Sequence, residues 1–75
     1  MELVTLMFKG SGAGELGPYE FESEEADRLM FDFAAFKNAV PQARAVESYA
    51  CRFNSKPKRI VVDLTSLFMI SFEIP

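Results

Sequence analysis

Histidine and tryptophan are absent from this 75-residue sequence, and cysteine occurs once. Without histidine, the commonest base for activating a serine or cysteine nucleophile is missing, and so is the usual nitrogen ligand for zinc. The single thiol, Cys51, excludes an internal disulfide framework. It fits a reducing cytoplasm and leaves the fold to be held by packing or self-association. Charge is also modest: 8 basic and 11 acidic side chains give a formal net charge of −3. That is too little for broad attraction to nucleic acid or anionic lipid, although it allows a local basic patch. No run approaches the roughly 20 apolar residues of a membrane-spanning helix. The opening MELVTLMFKG lacks the basic start and the length of a signal peptide. Repeats, linkers and low-complexity segments are likewise missing.

Apolar side chains, by contrast, are abundant. Hydrophobic residues make up 49% of the chain and include eight phenylalanines. A body with room for one domain, residues 1–75, cannot easily place them all inside, because a chain this short hides only about 60–65% of its unfolded surface.

One stretch has a sustained helical period. From Ser23 to Val40, the residues Ala26, Leu29, Met30, Phe33, Phe36 and Val40 recur at three- and four-residue steps and line one side of a helix. Ser23 is placed to cap it, Glu24, Glu25 and Asp27 suit the positive end of its dipole, and Pro41 ends it at Val40. Phe31 falls on the opposite side of the wheel.

The remainder alternates as strands do. Leu3–Phe8 sends Val4, Leu6 and Phe8 one way and Leu3 and Met7 the other. The glycine-rich GSGAGELGP, residues 10–18, predicts a long hairpin loop before a short strand at Tyr19 and Phe21, with Glu20 and Glu22 facing water. Arg44–Phe53 predicts a third strand with Tyr49, Cys51 and Phe53 inward. Arg59–Leu64 predicts a fourth, with Ile60, Val62 and Leu64 inward and Val61 outward, after a turn at Asn54–Pro57. After a turn or bulge at Thr65 and Ser66, a last strand places Phe68, Ile70, Phe72 and Ile74 on one face and Leu67, Met69, Ser71 and Glu73 on the other. Pro75 closes the ladder. The order ββαββ(β) predicts an α+β domain in which a single helix packs on a mostly antiparallel sheet of four to five strands.

Few of the motifs carry chemistry. Gly12, Gly14 and Gly17 have the spacing of a dinucleotide-binding fingerprint, but a strand follows them where that fingerprint needs a helix. The acids Glu20, Glu22, Glu24, Glu25 and Asp27 point in different directions and form no calcium loop. Cys51 reads as a buried structural thiol. The sequence therefore predicts no catalytic residue, no metal and no cofactor.

Two surfaces remain as expectations. A one-layer sheet would leave Leu3, Met7, Val61, Leu67 and Met69 on its back and Phe31 behind the helix. These residues predict a small cytoplasmic interaction module that forms a homo-oligomer through the back of the sheet or a free edge. The competing expectation is a monomer whose sheet curls into a small barrel over those residues. Arg44, Arg52, Lys56, Lys58 and Arg59 form the second candidate surface, a nucleic-acid contact with Arg44 and Arg52 on one exposed face. Strand alternation sends Tyr49 and Phe53 to the other side, which weakens base stacking as part of that contact. An enzyme or ligand carrier with its pocket between subunits is a third possibility.

Overall fold

The computed structural model describes residues 1–9, 15–41 and 43–74. Five strands and one helix follow in the order β1 (Glu2–Phe8), β2 (Glu15–Phe21), α1 (Ser23–Lys37), β3 (Val46–Phe53), β4 (Lys56–Asp63) and β5 (Leu67–Glu73). The chain is an α+β domain with its helix packed on one antiparallel sheet of order β4-β3-β2-β1-β5. No helix among the described residues is long and apolar enough to cross a membrane.

Strand order and loop length together force the sheet to curl. β4 and β5 are its two edges, so across a flat sheet they would stand about 19 Å apart, four spacings of about 4.8 Å. The pairings Phe8↔Leu67, Leu3↔Glu20, Glu20↔Arg52 and Val46↔Asp63 add a stagger of about eleven residues between the corners to be joined. Yet only Leu64, Thr65 and Ser66 connect the two strands, and the path from Asp63 to Leu67 reaches at most ~14 Å. The edges must therefore converge at this corner, as they do in a small staggered barrel. Backbone bonds pin it: Leu64 N–H donates to Ala45 O at 2.7 Å and Lys9 N–H to Ser66 O at 2.9 Å. Asp63 ties the turn itself by accepting from the Thr65 amide and hydroxyl and from Ser66 Oγ.

The concave side of the curl is the core. Val4, Leu6, Phe21, Tyr49, Cys51, Val62 and Leu67 fill it from the strands, Leu64 from the β4–β5 turn, and Ala26 and Leu29 from the helix. Phe8, Tyr19, Phe33, Phe36, Ile60, Ile70 and Phe72 pack around them.

Two bulges set which side chains reach that core. Val4 pairs with Tyr19 and Leu6 with Leu16, so β2 carries one extra residue in this interval. The interval is built around Gly17, whose φ of +123° suits glycine and where a Cβ would stand 2.8 Å from Val4 O. The strand thus begins at Glu15, inside the stretch expected to be loop; residues 10–14 of that expected loop lie outside the described residues. In β5, Met7 pairs with Met69 and Phe8 with Leu67, leaving Phe68 as the extra residue. Strict alternation fails there. Leu67, expected outward, is fully buried, and Phe68, expected inward, is 57% exposed.

The helix departs from expectation at both ends. Its N-cap is Glu22, in extended conformation and without a side-chain cap, and Ser23 is the first helical residue. At the other end, Ala39 N–H donates to Phe36 O and Val40 N–H to Ala35 O, with Ala39 at φ 55°. This double bond pattern is a Schellman turn, which stops the helix at Lys37, three residues short of Val40. Val40 consequently stays exposed, and Met30, within the helix, is exposed as well. The β3–β4 turn is shorter than expected, because Asn54 and Ser55 both adopt positive φ, a two-residue type I′ connection, and β4 starts at Lys56.

Candidate functional site

Arg28 links the helix to the sheet. β2 and β3 pair at one position, Glu20↔Arg52, and beyond it helix side chains take the place of a neighbouring strand. Glu25 Oε2 accepts from the Ala50 amide at 2.9 Å, and the Arg28 guanidinium donates to the Ser48 carbonyl. Arg28 also grips both Glu25 oxygens at 3.0 and 3.1 Å. It stands 3.8 Å from Asp32 and 3.6 Å from Glu47, and lies over the Tyr49 ring at 4.3 Å. The Tyr49 hydroxyl donates to Asp32 Oδ2 at 2.7 Å.

The electrostatics follow from these contacts. Bonding to Arg28 holds the Glu25 carboxyl below its ordinary range, opposed by burial and aided by the Ala50 amide. Glu25 in turn raises the Arg28 pKa. Burial, reinforced by the bond to Asp32, pushes the Tyr49 hydroxyl well up, so it stays a proton donor. Burial also raises the Cys51 thiol, which disfavours the thiolate needed for nucleophilic attack. No signal in the linear sequence marked Arg28 as this hub, because its partners come from two segments about twenty residues apart.

Among the described residues, no three His, Cys, Asp or Glu side chains are placed to hold a metal ion. Gly17 lies within β2, so its glycine series runs into a strand; Gly12 and Gly14 lie outside the described residues.

The six residues expected at an interface part company. Leu67 is in the core and leaves the set, because the bulge at Phe68 turns it inward. Leu3 and Met7 are half-buried on the convex side, where Leu3 pairs with Glu20 and Glu73 and Met7 with Met69. Val61 and Met69 are 71% and 43% exposed on that side. Val46, directly opposite Asp63 and sharing its outward face, joins them at 52%; alternation with Ser48 and Ala50 was sufficient to find it. The bulge has therefore taken Leu67 into the core, while the convex side keeps Leu3 and Met7 half-buried and Val61 and Met69 exposed. Phe31 belongs elsewhere: at 72% exposure it borders a cleft of about 230 Å³ with Asp32, Ala35, Val40, Ala43, Arg44 and Glu47.

The five basic residues are likewise divided. Arg44 lies by that cleft, 3.8 Å from Glu47. Arg52 and Arg59 are on the convex side, where Arg59 reaches Ser48 Oγ at 3.5 Å. Lys56 and Lys58 pair with Phe53 and Cys51 and so share their face; Lys58 Nζ is 5.5 Å from the Phe53 ring, which stacks against Tyr19 at 5.4 Å. The arginines are separated from the aromatics as alternation predicts, whereas the lysines are not.

No protein-family model, curated protein or solved structure matches this chain.

Proposed function

We propose that the chain is a small, non-catalytic interaction module that self-associates through the convex side of its curled sheet or through a free sheet edge. The observation that carries this reading is the exposure of Val46, Val61 and Met69 on that side, with Phe68 standing out at the adjoining bulge. Covering apolar surface of this kind is favourable by roughly 25 cal/mol per Å², and among the described residues no further element covers it. The raised thiol of Cys51 and the absence of histidine support a role without nucleophilic chemistry.

Light scattering on material eluting from a sizing column tests the reading. A dimer or larger species is expected at micromolar concentration, shifting toward monomer when Met69 is changed to Glu. A monomer at every concentration overturns it. A charge at Leu67 would be no test, since it would disrupt the core.

Nucleic-acid contact through Arg44, Arg52, Lys56, Lys58 and Arg59 is the weaker reading, because these residues lie on three separate parts of the surface. Lys58 beside Phe53 favours it at one point only. It requires binding of oligonucleotides that falls steeply with salt.

A further inference from the structure

The two free edges of the sheet are built differently. β4 carries Lys56, Pro57, Lys58 and Arg59, the residue types that deter strand-to-strand pairing. β5, with the sequence LFMISFE, has neither lysine nor proline, and its one charge, Glu73, is at its end.

The free hydrogen-bonding groups of β5 can be assigned. Val4 O points at Gly17 in β2, and in a strand the N–H and C=O of one residue face the same neighbour while those of the next face the other. Leu3, Thr5 and Met7 therefore direct their groups at β5, where they meet Glu73, Ser71 and Met69. Ile70 and Phe72 are left with theirs at the open edge.

We infer that β5 pairs antiparallel with β5 of a second copy, about a two-fold axis at Ser71. The inference rests on the self-association proposed above and specifies its seam. In this register Ile70 of each copy lies opposite Phe72 of the other, making about four backbone hydrogen bonds. Their side chains, already packed at the margin of the core, extend it across the seam. Ser71 meets its own symmetry mate on the convex side, and Met69 lies opposite Glu73. The two Glu73 carboxylates then sit at opposite ends of the seam, whereas parallel pairing in register would set them side by side. This charge placement selects an antiparallel second copy as the occupant, and the contact is isologous and closes on itself.

Two measurements on the full chain test the seam. Ser71→Cys puts two thiols across a non-hydrogen-bonded pair with Cα atoms about 4.5 Å apart, inside the range a disulfide spans. Mild oxidation is expected to convert most of this variant to a covalent dimer, while the parent chain and Val61→Cys do not crosslink in that way. In the unmodified chain, the Ile70 and Phe72 amides are expected to exchange about tenfold more slowly at millimolar than at low micromolar concentration. A dimer by light scattering that neither crosslinks through Ser71→Cys nor protects these two amides overturns the seam and leaves self-association standing. Efficient crosslinking of Val61→Cys without that of Ser71→Cys has the same effect, as does protection produced by an added extended peptide and not by concentration. A monomer throughout overturns both.

Discussion

Leu67 and Phe68 are adjacent in sequence, and truncating each to alanine separates the curled sheet from a strictly alternating one. Leu67 is fully buried, and Leu→Ala at such sites costs about 2–5 kcal/mol, the removed methyl groups plus the cavity left behind. Phe68 is 57% exposed. With less than half of its surface covered, its share of the ~1.5–3 kcal/mol available from full burial is about 1 kcal/mol. A chain of this length has a total stability of roughly 4–11 kcal/mol, so the first change removes a large part of it and the second little. Urea unfolding followed by far-ultraviolet circular dichroism reads the contrast, at concentrations where the midpoint no longer depends on protein concentration. With a slope of about 1 kcal/mol per M, Leu67→Ala should lower the midpoint by about 2–5 M and Phe68→Ala by about 1 M. Equal losses, or a larger loss for Phe68→Ala, would refute both the bulge and the inward turn of Leu67.

Further outcomes follow from the helix and its contacts. Glu25 has a folded pKa below its unfolded one, so its contribution to stability is present above the unfolded value and is lost as pH falls through the folded one. The urea midpoint should drop as pH falls below the ordinary glutamate range, and Glu25→Gln should flatten that drop; parallel slopes would contradict the Arg28 contact. Ala39 holds the left-handed position of the Schellman turn at φ 55°, so Ala39→Gly should raise stability by about 0.5–1 kcal/mol, and a loss would argue against this helix end. Cys51, buried with a raised pKa, should react slowly with a thiol reagent at pH 8 and quickly in urea; equal rates would place it at the surface.

Element types were legible in the sequence because each has its own period. Three- and four-residue steps marked the helix from Ser23 onward, and two-residue alternation marked the inward sides of β1, β3 and β4. Val4, Leu6, Tyr49, Cys51, Val62 and Leu64 are all buried as that alternation requires. The glycine composition correctly signalled a break in regularity near Gly17, but not that the strand continues through it as a bulge.

The sequence by itself determined an α+β domain of strands around one helix, with more apolar side chains than such a body can bury. The tertiary structure alone decided where the surplus lies. Whether Leu67 or Phe68 turns inward depends on one unpaired residue in β5, which shows only in the pairing with Met7 and Phe8 and not in β5's own pattern. Arg28 became the junction of helix and sheet because β2 leaves β3 after a single pair, which no local period encodes. β5 is an edge because it pairs with β1 and not with β4, the strand before it in the chain, and no local period encodes that long-range choice.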